Sequence, residues 1–364
     1  MIEHDEAGGS DAKRQAEHVN EPDITRAAQP GGRRRAPRGI RVLAWLVAGL
    51  AACWVLFAWL WPDMGDEGRV VGALNWLAFA GRTFSLHTAI ALGLLSLLMM
   101  LRRVRFAGAL TLTLALWCAV PTLWSLRPRG APPPPGGETL SVYSVNAQIG
   151  YVDPVRLRDD IERLDADIVV IIEHHPRLHA VLPALRERYP HVFESLRDDA
   201  FGMAVLSKRQ FADVPRAYPD LGVALTEPQI RCVVRVDGRE VVVQGVHTLP
   251  PVSVEHLREQ RRLIRALAAW AANEPRPVIL AGDFNCTPES QGAGWLRGAG
   301  LREAWDARGF GPGNTWPVDA GLFSAVGVKI DHVFVGGGLA VWHAEKGGKT
   351  GSDHRGLLAR VGFP

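Results

Sequence analysis

The chain has 364 residues and a formal net charge of +3, with 15 Lys and Arg against 10 Asp and Glu in residues 1–130 but 26 against 28 in residues 131–364. The longer C-terminal part is therefore nearly neutral and lacks the basic surface expected of a tight nucleic-acid binder. Four cysteines, two of them inside apolar runs, argue against a disulfide-stapled fold.

The N-terminal part reads as a tail followed by a membrane anchor. Residues 1–40 are polar and poor in aliphatic side chains, so we expect a disordered cytoplasmic tail. Residues 41–126 contain three apolar runs close to the length of about 20 residues that crosses a bilayer. These runs, expected to be transmembrane helices, are residues 42–61, 84–101 and 106–124. A fourth stretch, residues 70–80, is too short to span and is expected to lie at the interface.

The arginines predict how the anchor is oriented. Five of them lie between residues 33 and 41, and three more lie between residues 102 and 105. Because Lys and Arg close to membrane spans favour the cytoplasmic side, both groups should face the cytoplasm. We therefore expect a multi-pass protein of the cytoplasmic membrane whose C-terminal domain is extracytoplasmic. If residues 70–80 also cross, that domain is cytoplasmic instead.

A Pro-rich linker, residues 127–138, leads to a globular domain over residues 139–364. Short β-branched runs alternate there with helical patterns, which is typical of an α/β or α+β sandwich. Helices are predicted over residues 154–164, 178–189 and 253–272. Strands are predicted over residues 139–147, 167–173, 201–208, 231–236, 241–247, 277–284, 330–336 and 356–363, with a hairpin turn at Asp237-Gly238. Cys232 and Cys286 are expected to be buried free thiols, with a disulfide between them as the alternative.

Four short motifs in the last third of the chain carry the functional signal. They are VHT at 246–248, GDFN at 282–285, KIDH at 329–332 and SDHR at 352–355. They place acids, an amide and imidazoles at strand ends, where a rigid scaffold often presents functional loops. The side chains concerned are those of His247, Asp283, Asn285, Asp331, Asp353 and His354. This combination favours divalent-metal-dependent hydrolysis of a phosphate ester.

Together with SVNA at 144–147, VVIIE at 169–173 and GMAVLS at 202–207, these motifs occur in the order found in the endonuclease/exonuclease/phosphatase superfamily. The chain resembles that superfamily from about residue 139 to 362. The resemblance implies a four-layer sandwich of two face-to-face mixed β-sheets flanked by helices, preceded here by three transmembrane helices. The anchor is similar to that of bacterial membrane members, which also carry a Thr-Trp-Pro before the Ile-Asp-His.

The resemblance also implies a metal site. Carried over residue by residue, Glu173 matches the principal metal ligand, with Asn146 beside it and Asp353 nearby. Dependence on one strong carboxylate favours Mg²⁺, or Mn²⁺, with several waters retained. Gln148 stands where abasic-site endonucleases have a second acidic ligand, which weakens an abasic-endonuclease interpretation.

Five catalytic roles follow from the same resemblance. Asp283 matches the residue that orients or deprotonates the attacking water, and Asn285 matches one that hydrogen-bonds the phosphate. His354 matches the imidazole that contacts the phosphate, oriented by Asp331. His247 matches a second histidine, a candidate acid for the leaving oxygen.

Three further residues are candidate substrate contacts. Thr315 and Trp316 lie in the Thr-Trp-Pro loop, where the indole could stack on a substrate, although a core position explains Trp316 equally well. Lys329 is a candidate phosphate contact, with a solvated charge at a strand edge as the alternative.

The sequence thus predicts a membrane-tethered, phosphodiesterase-type hydrolase acting on a lipid or small-molecule phosphodiester by in-line attack of water. An extracytoplasmic nuclease of the same fold is the first alternative, so nucleic acid stays a candidate substrate. A catalytically silent, membrane-anchored binding module is the alternative from another class. The expected partners are the phosphate-ester substrate and the lipid bilayer, and no protein partner can be inferred.

Overall fold

The structure, a computed structural model, describes part of the chain. The described ranges are residues 36–62, 64–65, 68–130, 136–179 and 182–364. Most of the predicted tail and the central part of the predicted linker, residues 131–135, lie outside the described residues. The first helix begins at Arg38, slightly inside the segment predicted to be disordered.

The anchor region contains four helices in the described residues. They are α1 (Arg38–Leu60), α2 (Arg69–Thr83), α3 (Ser85–Leu101) and α4 (Arg105–Ser125). Helices α1 and α4 are each long and apolar enough to cross a membrane. Helix α3 has 17 residues, about 26 Å at 1.5 Å per residue, which is short of a core of about 30 Å. It qualifies only together with α2, to which it is joined at a bend of 71°, so the described helices offer two or three spans.

Helix α2, predicted to lie at the interface, contacts both parts of the molecule. Its Arg82 is buried and donates to the carbonyl oxygens of Ala58 and Trp61 at the end of α1. Its Trp76 donates from Nε1 to the carbonyl oxygen of Pro251 in the C-terminal domain, at 2.9 Å. The helix therefore connects the anchor to that domain.

The C-terminal domain is built on two sheets. Its strands are β1 (Thr139–Asn146), β2 (Ile168–Ile172), β3 (His191–Ser195), β4 (Met203–Ser207), β5 (Arg231–Val236), β6 (Arg239–His247), β7 (Val278–Asp283), β8 (Arg302–Glu303), β9 (Asp331–Val335), β10 (Ala340–Lys346) and β11 (Leu357–Gly362). The first sheet has the order β10-β11-β1-β2-β4-β3, and the second has the order β5-β6-β7-β9-β8. Both sheets are mixed, because β1 is parallel to β2 and β6 is parallel to β7 while their other pairings are antiparallel.

Helices cover the outer faces of both sheets. Those on the first sheet are α5 (Pro154–Leu164) and α6 (Leu182–Leu185), and those on the second are α7 (Val254–Asn273) and α8 (Gln291–Gly298). Two shorter helices lie elsewhere: α9 (Ala304–Arg308) packs on the inner core through Ala304 and Trp305, and α10 (Leu322–Ala325) precedes β9. Val142 and Val170 of the first sheet share the inner core with Val243 and Ile279 of the second. The alternate residues face outward, where Tyr143 of β1 packs in a cluster with α5 and α6. Leu280 of β7 packs in the corresponding cluster with α7 and α8. The predicted sandwich of two mixed sheets flanked by helices is confirmed.

Local chemistry explains the elements that were predicted well. Helix α5 covers the predicted residues, and Asp153 caps it by accepting from two backbone N–H groups. The hydroxyl of Ser253 caps α7 in the same way. Asp237 and Gly238 both adopt positive φ, at 50° and 73°, as the two-residue turn of a hairpin requires.

Other expectations differ from the structure. In the described part of residues 178–189, the predicted helix is reduced to the single turn of α6, because Pro183 lies inside the segment and Pro190 disfavours helix at the residue before it. Strands β3, β8 and β10 were not predicted. Cys232 and Cys286 are both buried and unpaired, one in the inner core and one outside the second sheet, so the disulfide alternative is wrong.

Candidate active site

Strand register brings three predicted site residues together in the second sheet. His247, the last residue of β6, is paired with Asp283, the last residue of β7. Asp283 is in turn paired with Asp331, the first residue of β9. Gly282 permits this, because a Cβ there would come within 1.8 Å of the backbone oxygen of Val246. The glycine of the GDFN motif is thus required by the close approach of β6 and β7.

An amide group joins the two sheets at this edge. Asn146, the last residue of β1, is fully buried, and its Nδ2 donates to Glu173 Oε1 at 2.9 Å and to Asp283 Oδ2 at 3.1 Å. Its Oδ1 accepts from the backbone N–H of Gln148 at 2.8 Å, which sets the orientation of the amide. Glu173 and Asp283, which are 110 positions apart along the chain, thus belong to one cluster.

Glu173 follows β2 with φ of 56°, a left-handed conformation that is uncommon for a residue other than glycine and often accompanies function. The next residue, His174, donates its backbone N–H to the carbonyl oxygen of Gly202 at 2.8 Å, which holds the loop against the start of β4. Burial raises the pKa of the Glu173 carboxyl and the charge of Asp353 adds to this, although the Asn146 amide opposes it. The carboxylate therefore lacks full compensation from the protein.

Asp283 is buried and its Oδ1 accepts from the backbone N–H of Asn285 at 2.8 Å. Burial, and secondly the charge of Asp331, raise the pKa of Asp283 to about 7. Asn285 donates one amide hydrogen to the carbonyl oxygen of Thr248 at 2.9 Å. An amide nitrogen has two hydrogens, so a second remains for another acceptor.

His354 is the charged imidazole of the cluster. Its Nδ1 lies 2.9 Å from Asp331 Oδ2 and 3.8 Å from Asp283 Oδ2. Burial by itself would lower the pKa of His354, but the charges of Asp331 and Asp283 outweigh it and raise the pKa to about 10. The ring is therefore an imidazolium at neutral pH.

His247 has the opposite character. Its backbone N–H and C=O are both bound by the side chain of Gln229, and its Nε2 lies 3.9 Å from Glu173 Oε1. Its Nδ1 is buried with no hydrogen-bond partner among the described residues. Burial, and secondly the charge of His354, lower the pKa of His247 to about 4. This second histidine is therefore neutral at pH 7.

Asp353 carries an oxygen that the fold does not satisfy. Its Oδ2 accepts from Trp316 Nε1 at 3.0 Å, and its backbone N–H donates to Gln148 Oε1 at 3.1 Å. Its Oδ1 is buried without a hydrogen-bond partner in the described part of the chain. A buried carboxylate oxygen is costly unless it is paired or binds a metal. Asp353 and Glu173 therefore fit a cation.

Asn146 fits the cation less well than predicted. It presents its amide nitrogen to both carboxylates, whereas an amide coordinates a metal through oxygen. A different group, Asp283, Asp331 and His354, has ligand atoms within 4.8 Å of one another. In this group Asp331 and His354 already pair at 2.9 Å, whereas Asp353 Oδ1 has no partner among the described residues, so Glu173 and Asp353 remain the candidates for holding a cation.

The predicted substrate contacts lie in different places. The hydroxyl of Thr315 is buried and accepts from the backbone N–H groups of Ile330 and Asp331, so it positions the start of β9. Trp316 contacts Asp353, as described above. Lys329 is buried and bound elsewhere, so the structure supports neither the phosphate contact nor the solvated charge.

Lys329 Nζ donates to Glu303 Oε2 at 2.6 Å and to Asp306 Oδ1 at 3.3 Å. We call these three residues the Lys329 ion cluster. Despite burial, the carboxylates raise the pKa of Lys329, and the ammonium lowers the pKa of Glu303 to about 2. Lys329 and Glu303 compensate each other, and the second carboxylate, that of Asp306, leaves the cluster with one negative charge in excess.

Sequence reasoning missed a basic cavity beside the site. This cavity, of about 310 Å³, is lined by Lys346, Lys349 and Arg355 together with Asp319. Arg355 directly follows His354 in the SDHR motif, which was a signal for it. Lys346 had no such signal, because β10 was not predicted and only the fold brings it next to β11. Lys349, beyond the end of β10, is paired with Asp319 in the same cavity.

A family model described as Endonuclease/Exonuclease/phosphatase family matches residues 143–354, which include every predicted site residue. No curated protein matches the chain.

Several solved structures are similar to it. A functionally unknown conserved protein from Enterococcus faecalis V583 is 17% identical, with a TM-score of 0.51 over 62% of this chain and 100% of that chain. An endonuclease/exonuclease/phosphatase from Beutenbergia cavernae DSM 12333 is 20% identical, with a TM-score of 0.49 over 62% and 72%. D. rerio TDP2 complexed with single-strand DNA product is 18% identical, with a TM-score of 0.47 over 62% and 99%. At such identities the likeness shows the fold alone.

Proposed function

Because the chain belongs to the endonuclease/exonuclease/phosphatase family, we propose that it is a membrane-tethered, divalent-metal-dependent hydrolase of phosphoric esters. One observation carries the proposal. The Asn146 amide ties Glu173, a carboxylate without full compensation, to Asp283, a carboxyl with a pKa near neutrality, beside the His354 imidazolium. Such a set suits attack of water on phosphorus.

Asp283 is the residue that positions and deprotonates the water. A general base works best when its pKa lies near the working pH, and burial raises the pKa of Asp283 to about 7. The water proton moves to its carboxylate as the new oxygen–phosphorus bond forms and the bond from phosphorus to the leaving oxygen breaks. The leaving oxygen then takes a proton from solvent water, and Asp283 later releases its proton to solvent. The backbone N–H of Asn285 holds this carboxylate in place.

Charge that develops on the phosphate oxygens is offset by fixed donors. The His354 imidazolium is engaged at Nδ1 by Asp331, so its Nε2 is left for a phosphate oxygen. The second amide hydrogen of Asn285 serves another oxygen. Glu173 and Asp353 would hold Mg²⁺ or Mn²⁺, which when bound supplies further positive charge to the phosphate.

The role of His247 follows from its neutral state. A neutral imidazole donates a hydrogen bond through one ring nitrogen, but it does not stabilise an anion by charge. We therefore assign it to hydrogen bonding of the leaving oxygen and assign charge stabilisation to His354.

We infer the domain plan from the same combination of features: a cytoplasmic tail, an anchor over residues 41–126, a linker over residues 127–138 and a catalytic domain over residues 139–364. The apolar helices α1 and α4 support the anchor, and the flanking arginines support an extracytoplasmic catalytic domain. A reporter enzyme active only outside the cytoplasm, fused after residue 364, tests the orientation and should be active.

A lipid or small-molecule phosphodiester is the preferred substrate, because the catalytic domain is nearly neutral and is tethered close to a bilayer. In the basic cavity, where Lys349 is paired with Asp319, Lys346 and Arg355 would accept a second anionic group of that substrate. A nuclease is the second candidate, since the same cavity could accept a neighbouring phosphate of a nucleic acid.

A substrate panel tests the proposal with the full chain in detergent micelles. It comprises phosphatidylcholine, sphingomyelin, bis(p-nitrophenyl) phosphate, single-stranded DNA and RNA, each with Mg²⁺ and with EDTA. We expect Mg²⁺-dependent hydrolysis of at least one lipid or small diester, which Asp283→Asn abolishes and the exposed control Asp159→Asn does not. Hydrolysis of DNA or RNA only would favour the nuclease. Failure on every substrate would favour a silent binding module.

A further inference from the structure

A second cavity lies where the anchor meets the catalytic domain. It has a volume of about 280 Å³, near the lower end of the range of small-molecule sites, roughly 300–1,000 Å³. The first turn of α3, the last turn of α4 and the segment after α4 form one wall. Loops of the second sheet, around Thr287 and Val328, form the other.

Arginines dominate the charge of this cavity. Arg127 and Arg129 follow α4, and Arg297, near the end of α8, lies at the exposed rim. Lys329 also reaches the cavity, but its charge is compensated in the Lys329 ion cluster. The one further acid, Glu289, is half-buried, and its desolvation raises the pKa of its carboxyl. The three arginines and Lys329 carry four positive charges against the three carboxyls of Glu303, Asp306 and Glu289, so a net positive charge remains at the cavity.

Two of the arginines are held close together. Arg127 stacks on the Trp124 ring at 4.3 Å and donates to the Trp124 carbonyl oxygen, which fixes its direction. Arg129 donates from Nη1 to the carbonyl oxygen of Arg127 at 3.3 Å. Burial, and secondly the charge of Arg127, lower the pKa of Arg129. An anion between them would relieve this repulsion.

Polar atoms of the lining also lack partners. Arg129 Nε, His87 Nδ1 and Thr83 Oγ1 are buried without a hydrogen-bond partner within the described ranges. Each unsatisfied buried polar group costs about 1–3 kcal/mol, so such groups are uncommon unless something binds them. The arginine and threonine offer hydrogen-bond donors, which suits an acceptor-rich ligand.

We propose that this cavity binds a phosphate-bearing anion at a site separate from the hydrolytic one. Arginine pairs geometrically with phosphate oxygens through two parallel N–H groups, and it stays charged when partly buried. Residues 83–87 and 121–127 lie at the ends of the anchor helices that face the catalytic domain, so a lipid headgroup and a soluble phosphate could both reach the site. The two sources share the same chemistry.

We call the residues proposed to catalyse hydrolysis, Asn146, Glu173, His247, Asp283, Asn285, Asp331, Asp353 and His354, the hydrolytic cluster. The cavity is distinct from this cluster although it is near in sequence. Lys329 lines the cavity, whereas Asp331, two residues later, binds His354. The proposal does not rest on hydrolysis, because it concerns binding by residues that take no part in the hydrolytic site.

The test measures binding to the full chain in dodecylmaltoside with EDTA, in a His354→Ala background that weakens phosphate binding at the hydrolytic site. The probes are dioctanoyl phosphatidylglycerol, inorganic phosphate and dioctanoylglycerol, which lacks phosphate, and binding is followed by calorimetry. We expect one phosphate-bearing probe to bind at least tenfold more weakly to Arg129→Gln/Arg297→Gln and equally to the exposed control Arg186→Gln. Tighter binding of phosphatidylglycerol identifies a lipid headgroup, and tighter binding of inorganic phosphate identifies a soluble anion.

Arg297→Gln alone guards against a folding defect, because Arg297 is exposed and its replacement leaves the buried wall intact. We expect an intermediate loss of affinity from this single variant. Equal affinity of the parent His354→Ala protein and of both arginine variants made in it, or no binding of either phosphate-bearing probe, overturns the proposal. Binding of dioctanoylglycerol as tight as that of phosphatidylglycerol does so as well.

Discussion

The hydrolytic cluster and the Lys329 ion cluster lie close together on either side of the start of β9, yet they treat buried charge in opposite ways. In the ion cluster, Lys329 and Glu303 compensate each other at 2.6 Å, and both hold their charged forms. In the hydrolytic cluster, Glu173 and Asp283 have raised pKa values and one oxygen of Asp353 has no partner. Compensated charge stabilises the fold, whereas uncompensated charge is available for a ligand.

The largest expected effect is that of Asp283→Asn. The amide is nearly isosteric and cannot accept the water proton, so we expect kcat/KM to fall about 10²–10⁴-fold. Because a buried, poorly compensated carboxyl is removed, the free energy of unfolding should stay the same or rise. Steady-state kinetics and chemical denaturation measure the two quantities, with Asp159→Asn as the control. A large loss of stability would show that Asp283 is structural.

Lys329→Met should have the reverse signature. It leaves Glu303 buried without its ammonium partner, and breaking a buried pair costs about 3–5 kcal/mol. We expect a large loss in the free energy of unfolding, with kcat of the folded fraction reduced much less. The double variant Lys329→Met/Glu303→Gln should recover part of the loss. No recovery would contradict the pairing.

The pH profile of kcat/KM separates the two titrating groups of the hydrolytic cluster. Asp283 acts only when ionised and its pKa is raised to about 7, so the rate should rise about tenfold per unit below pH 7. His354 acts only when protonated and its pKa is raised to about 10, so the rate should fall above pH 10. The profile is measured with saturating Mg²⁺. An acid limb near pH 4, the ordinary aspartate range, would remove Asp283 as the base.

Trp316→Phe should have the smallest of these effects, and it tests whether the Trp316 indole supports Asp353 in the hydrolytic cluster. The change removes the indole donor to Asp353 and keeps most of the ring. Hydrogen-bond partners of metal ligands typically contribute 10–100-fold to metal affinity, so we expect Mg²⁺ to bind about tenfold more weakly. Calorimetric titration with Mg²⁺ measures this. Trp342→Phe on β10 is the matched control, since that indole nitrogen has no hydrogen-bond partner among the described residues.

The predictability of the site varied residue by residue. Asn146, Glu173, His247 and Asp283 all lie at the end of a predicted strand or one residue before it, and such a position is visible in the sequence as an apolar run that stops at a polar residue. The pKa values of Glu173, His247 and Asp283 were not predictable, because they depend on burial and on charges brought from other strands. His247 and His354 look equivalent as sequence, but one is neutral and the other charged.

Lys329 shows the limit of reasoning from motifs. It lies two residues before Asp331, which suggested a shared function. Its partners, Glu303 and Asp306, are 26 and 23 residues away in the chain, and nothing local indicates them. Helix α2 is a similar case, since its Trp76 binds Pro251, 175 residues away.

By itself, the sequence determined the division into apolar and globular parts, the period-two strands and the set of polar residues at their ends, since these depend on local composition and periodicity. Only the tertiary structure decided which carboxylates face each other, which histidine is positively charged and which arginines share a cavity with the anchor. These properties arise from distances of a few ångströms between segments far apart in the chain, and such distances are set by packing of the sheets and helices.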